Sequence, residues 1–312
     1  AATEPAAARA AVTAEDPVER QFVLGAAHVE GFDETQWRTS LELCNLGVST
    51  RSVQIDFLAR GQANPTPQGV TMPLGWGRCA RFDDVVGSLF GLDHAAGAIR
   101  VGCDGGGCQA LARTFNDSGE GTFGSGQPAL AAEDAVEAGE SAALIHLSES
   151  ADDSIGYRTN LELLNATDDA LTVRIDLYDA SGAELGALTV ELLPLEVRQL
   201  TRVFRLVTTT AVADGYALLH TPTPGGAFFA AASLVDNRTG DGTTIAANVV
   251  SSGLPPLEPL TVANAGSARL LKTLRIPGFQ ASAGSQCSVD FSPDGRLLSG
   301  ACKRTTIPIW EV

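Results

Sequence analysis

Leu41 and Leu43, then Val53, Ile55 and Phe57, alternate with Glu42, Gln54 and Asp56. This period of two is the signature of strands with one buried and one wet face. About 120 residues later Val173, Ile175 and Leu177 alternate in the same way with Arg174 and Asp176. Clusters of Gly, Pro, Asn and Asp separate these runs at strand-plus-turn spacing. One stretch breaks the pattern. Asp83-Asp84-Val85-Val86-Gly87-Ser88-Leu89-Phe90 places apolar residues at helical spacing after an acidic start, which predicts a helical turn or two across the end of a sandwich.

The pattern is duplicated along with its residues. Trp37-Arg38-Thr39-Ser40-Leu41-Glu42-Leu43-Cys44-Asn45 returns as Tyr157-Arg158-Thr159-Asn160-Leu161-Glu162-Leu163-Leu164-Asn165. Asn116-Asp117-Ser118-Gly119-Glu120-Gly121-Thr122 returns as Asn237-Arg238-Thr239-Gly240-Asp241-Gly242-Thr243. An offset that stays between 118 and 121 residues means one domain carried twice, not a short-period solenoid. The expected fold is all-β: two tandem immunoglobulin-like β-sandwiches of seven or so strands, at about 22–130 and 142–252. A leader (1–21) precedes them, and segments 131–141 and 253–268 read as linkers. Residues 269–312 read as a small C-terminal antiparallel β-sheet.

Charge and cysteine change the picture next. The formal charge is −16, and Lys272 and Lys303 are the two lysines. Such a surface argues against nucleic-acid binding, which needs clustered Lys or Arg to displace counterions. Six of the Lys and Arg residues and three of the acids fall in 263–312, so the tail is cationic and the body anionic. No apolar run is long enough to span a membrane. The start at Ala1 without Met reads as a mature protein whose signal peptide has been removed.

Cys103 and Cys108 flank Asp-Gly-Gly-Gly, and Cys287 and Cys302 flank Ser-Pro-Asp-Gly; both are hairpin compositions that bring cysteines opposite each other. Cys44 and Cys79 are left for one another. Six cysteines permit many other connectivities. At an offset of 120 the second copy has Leu164 and Gln199 at the places of Cys44 and Cys79, so that pair is lost as a unit. Disulfides imply an oxidising compartment. No Cys-x-x-Cys is present, and no metal or cofactor is expected.

Enzyme signatures are missing: no His-Glu-x-x-His, Gly-x-Ser-x-Gly or P-loop occurs. His28 and His146 fall at matching points of the two first strands, which suggests a shared structural hydrogen bond. Asp117 with Glu120, and Asp236 with Asp241, supply too few oxygens for calcium and read as turn residues. Asn116, Asn165 and Asn237 each open an Asn-x-Ser/Thr sequon, read here as incidental turn chemistry.

The duplicated motifs, with Asp83–Gly91 and the Gly-rich turns, resemble tandem immunoglobulin-like sandwich domains of bacterial secreted and cell-surface proteins. That resemblance implies architecture and location and carries no site. Residues 269–312 resemble a single WD-repeat blade, through Ser292-Pro293-Asp294-Gly295 and the Trp310-Glu311 ending. Gly278-Phe279 stands where Gly-His is usual, and Pro308 points to an edge strand. One blade cannot bury both faces of a sheet, so the tail should pack on the sandwiches or on another subunit. The expected function is non-enzymatic: a secreted, self-associating homo-oligomer or polymer forming an extracellular filament or surface layer through β-edge or tail docking. An adhesin or carbohydrate-binding surface module that recognises glycans is the alternative.

Overall fold

The computed structural model describes residues 18–31, 35–117 and 121–250, and beyond them the backbone of three short strands between Cys287 and Glu311. The first copy contains β1 (Val18–Glu30), β2 (Gln36–Asn45), β3 (Arg51–Ala59), β4 (Gln68–Leu74), β5 (Cys79–Phe82), β6 (Ala95–Asp104), β7 (Cys108–Asp117), β8 (Thr122–Pro128) and β9 (Leu130–Ala131). One layer is ordered β4-β3-β6-β1, with β9 added to β1; the other is β5-β2-β7-β8. The end of β1 crosses between them, pairing His28–Glu30 with Gln36–Arg38.

A short strand β10 (Val136–Glu137) leads into the second copy. There follow β11 (Ser141–Glu149), β12 (Tyr157–Asn165), β13 (Leu171–Tyr178), β14 (Glu184–Leu192), β15 (Val197–Leu200), β16 (Val212–His220), β17 (Ala227–Asp236), β18 (Gly242–Ala246) and β19 (Asn248–Val250). Their layers, β14-β13-β16-β11-β19 and β15-β12-β17 with β18 and β10 on β17, reproduce the first copy strand for strand. Each copy therefore has nine strands rather than seven. The extra ones are short pieces, such as β5 and β9, whose few residues show no period.

Helical turns at Val85–Leu89 and Val203–Leu206 close the matching end of each sandwich. Asp84 caps the first by accepting from Gly87 N. The second has no acidic start, and Arg202 stands at its cap in a left-handed conformation. The alternating residues of both copies, Leu41, Ile55, Leu161 and Ile175 among them, are fully buried in two separate cores.

A third core joins the copies. Seven consecutive residues of β1, Gln21–Ala27, are buried, because both faces of this strand are covered. Phe22, Leu24, Leu58 and Ala98 on the outer face of the first copy meet Leu164, Val197, Phe229 and Ala231 on the outer face of β12, β15 and β17. The Phe22 and Phe229 rings lie 5.0 Å apart. Main-chain bonds add to this contact: Gly61 N donates to Val197 O at 2.8 Å and Asn64 N to Pro194 O at 3.0 Å. Segment 131–141, expected to be a free linker, holds β10, a helical turn at Ala132–Asp134 and the buried Ala135. β1 likewise begins at Val18, inside the expected leader. Residues 1–254 form one compact unit.

Two buried asparagines explain the repeated Leu-x-Leu-x-Asn. Asn45 Nδ2 donates to Ser49 O and Leu74 O, each at 2.8 Å, while its Oδ1 accepts from Gly47 N. Asn165 does the same in the second copy, donating to Asp169 O and Leu193 O and accepting from Thr167 N. Both amides are fully buried and tie the end of one strand to the next turn, satisfying carbonyls that would otherwise be stranded.

The second unit, Pro255–Val312, contains β20 (Cys287–Phe291), β21 (Leu297–Cys302) and β22 (Ile309–Glu311), an antiparallel meander. β22 is an edge strand of this meander; Pro308 lies outside the described residues. The Gly278-Phe279 pair and the Ser292–Gly295 turn lie outside the described residues, as does the leader up to Pro17.

Asn165→Ala removes two good donors from buried carbonyls, and we expect a loss of about 2–4 kcal/mol in urea denaturation. A loss below about 0.5 kcal/mol would contradict the stitching role, since exposed polar groups behave that way.

Candidate functional site

Between the two sandwiches lies a cleft of about 360 Å³. Its floor is the irregular part of β1, where pairing with β6 shifts register between Val23 and Ala26. Gly25 sits on this bulge. A Cβ there would lie 2.9 Å from Glu162 Oε2 and 3.1 Å from Gln127 Nε2, so glycine is what lets the second copy approach. The second copy keeps the same bulge, between Leu144 and Leu147. Matching the registers puts His146 at the place of Gly25, exposed and at φ 63°.

Trp37, Glu30 and Thr114 line the cleft from the first copy, and Arg158, Asn160 and Ser233 from the second. At its centre Arg60 reaches across, donating to Gln199 Oε1 at 2.8 Å and lying 3.7 Å from Glu162 Oε1. Glu162 Oε1 also accepts from Gln199 Nε2 at 3.1 Å. Burial pushes the Glu162 carboxyl above the usual glutamate range, against the opposing pull of Arg60 and of the Gln199 hydrogen bond. Arg158 is lowered by burial first and by the neighbouring Arg202 second; its Nη1 donates to Asn237 Oδ1 at 2.9 Å.

Periodicity had put Glu162 among the wet strand positions. It does point out of its own sandwich, but into the other one. Its counterpart Glu42 is exposed, as expected. The distinguishing signal was Leu164, an apolar residue on that same outward face.

The cleft offers amides, two carboxyls and two guanidinium groups to a polar ligand. Among the described residues no histidine lines it. Its serines are engaged, Ser125 Oγ accepting from Thr244 N at 3.1 Å and Ser233 Oγ from Asn160 Nδ2 at 3.4 Å.

The histidines do not share a role. Ala27 N donates to Thr39 Oγ1 and Ser148 N to Thr159 Oγ1, so the residues that follow, His28 and Glu149, are equivalent. His28 Nδ1 lies 2.6 Å from Asp84 Oδ2, beneath the first helical turn. Glu149 Oε1 accepts from Arg202 at 2.8 Å beneath the second. One polar clasp serves both copies with the charges exchanged between strand and turn. Burial raises the Glu149 carboxyl, opposed by the Thr159 N–H and by Arg202 and Arg205.

Cys44–Cys79 and Cys103–Cys108 are bonded. Cys287 and Cys302 stand directly opposite in register, with side chains outside the described residues. Register corrects one equivalence: Cys44 pairs with Cys79 as Leu164 pairs with Val197, so Val197, not Gln199, replaces Cys79. Glu42 lies beside this bridge, whose sulfurs are taken up covalently.

The turn reading of Asp236 is supported, since its Oδ1 accepts from Arg238 N at 2.7 Å and Thr239 N at 3.0 Å. These bonds hold its carboxyl below the ordinary range. Glu120 lies outside the described residues. Of the sequon asparagines, Asn116 and Asn165 are buried, and Asn237 Nδ2 donates to Ile155 O at 3.0 Å.

No protein-family model matches the chain, and no curated protein matches it. Among solved structures it is similar to Bacteroides uniformis beta-glucuronidase 2, at 10% identity and TM-score 0.14 over 74% of this chain and 31% of that one. A beta-glucuronidase from glycoside hydrolase family 2 gives 11% identity and TM-score 0.16, over 76% and 30%. The chain thus spans about a third of the length of these structures, and overlap this weak carries no argument about fold or activity.

For a carboxyl raised by burial, the favourable contribution is present at acid pH and is lost as pH rises through the folded-state value. Glu162→Gln should therefore raise the thermal midpoint by a few degrees at neutral and alkaline pH. The gain should vanish below the ordinary glutamate range. A midpoint difference independent of pH would refute the assignment.

Proposed function

We propose that this chain is a non-enzymatic, extracellular structural protein whose rigid sandwich pair self-associates into a filament or layer. The observation that carries this reading is the apolar core between the copies. Phe22 against Phe229 and Leu58 against Val197 turn two domains into one stiff body, which suits load bearing better than induced fit. Two disulfides fit an oxidising compartment. No helix of the described residues is long and apolar enough to cross a membrane. A cationic tail on an anionic body adds a second means of joining subunits. Sedimentation of the purified full chain across salt and pH, with negative-stain images, is the direct test. Concentration-dependent assemblies are expected; a monomer under all conditions would remove the proposal.

The cleft favours one second reading, an adhesin or carbohydrate-binding module. Trp37 beside Arg158, Asn160 and Glu162 is a set of the kind that holds a sugar. Titration with oligosaccharides, read through tryptophan fluorescence and compared with Trp37→Ala, decides it. Saturable binding lost in the variant supports this reading, and an unchanged signal across a glycan panel dismisses it.

A further inference from the structure

The internal joint has a counterpart at each free end of the sandwich pair. Within the chain, the outer face of β1, β3 and β6 is covered by the outer face of β12, β15 and β17. The strands equivalent to the covered ones are β11, β13 and β16, and no described residue outside their own sandwich covers their outer face. Register matching places Ile145 where Leu24 stands. It places the Tyr178–Tyr216 pair where Leu58 and Ala98 pair. Ile145 is 59% exposed. The two tyrosine rings stack at 4.8 Å on this face. Asp176, Glu184 and Glu191 share the face with Arg174 and outnumber it.

At the other end, the outer face of β2, β5 and β7 is equivalent to the covering face and is also open among the described residues. Leu111 there is 54% exposed, and Arg113 lies over the Phe115 ring at 5.0 Å. Arg38, Arg81 and Arg113 balance Glu42, Asp83 and Asp117 in a chain of formal charge −16. An apolar, acidic face thus meets an apolar one whose arginines offset its acids.

We infer that the Ile145–Tyr178–Tyr216 face docks on the Leu111–Arg113–Phe115 face of a second copy of this chain, repeating head-to-tail the joint already made inside it. The inference rests on the self-association reading and names its surfaces. Such a contact is heterologous, so it propagates instead of closing into a dimer. It is more polar than the internal joint, since Gln109 occupies the place of Phe229 and the Cys44–Cys79 bridge that of Leu164 and Val197. Added salt should therefore weaken it while leaving each chain folded.

The test uses full-length chains in analytical ultracentrifugation, with thermal unfolding to confirm that each variant folds. Tyr216→Glu blocks one face and Leu111→Glu the other. Each alone should weaken growth by roughly tenfold or more, as loss of an interface anchor does. Mixed together, the two retain one good face apiece and should form a 1:1 pair that grows no further. Tyr178→Ala and Arg113→Glu replace either variant that unfolds. Assemblies unaffected by both changes would overturn this inference while leaving self-association standing. A mixture that makes no 1:1 pair would also overturn it, because the contact would then join like faces. A wild-type chain that stays monomeric removes both proposals.

Discussion

Covering both faces of one sheet is the constraint on which the remaining structure depends. A sandwich layer ordinarily has a dry and a wet side, and its residues alternate accordingly. Where Phe22, Leu24, Leu58 and Ala98 lie, the layer containing β1, β3 and β6 has no wet side, and so Phe22 and Leu24 are as buried as Val23 and Ala26. The strand must then accommodate a second sandwich at close range. The bulge at Gly25 provides the room, and the cleft is what remains beside it. The perturbed carboxyl of Glu162 and the reach of Arg60 follow from the same approach.

Duplication makes the effect of that contact easy to isolate, because each residue has a control in the other copy. Glu42 meets water and Glu162 meets Arg60. Cys44 and Cys79 form a bridge where the face is open; Leu164 and Val197 pack where it is covered. Gln109 stands outside and Phe229 inside. Backbone order and buried alternation are common to both copies. What differs is what each outer face touches.

Much of this was legible in the sequence. Alternation identified the strands that build the two cores, the repeat identified the copies, and hairpin composition identified Cys103–Cys108. The joint was not identified. Its signal was the unbroken apolar stretch from Phe22 to Ala27, which a period-two reading has no means of assigning to two faces. The cleft was invisible for a related reason: Arg60, Glu162 and Gln199 come from different copies and converge only after the copies stack. Equating His28 with His146 failed because the spacing between copies drifts along the chain, and in β1 the register sets His28 against Glu149 and His146 against Gly25.

The third core has a consequence for how such a protein can be inherited and rearranged. Domains joined by a loose linker can be shuffled one at a time, since each carries a finished surface. Here neither copy does: cutting between them strips Phe22 from one fragment and Phe229 from the other and leaves two greasy plates in water. The transferable module is therefore the pair. Further lengthening by duplication has to add sandwiches two at a time, or else re-dress one exposed plate with charge, as the first copy's outer sheet has been re-dressed with arginine, glutamine and a disulfide.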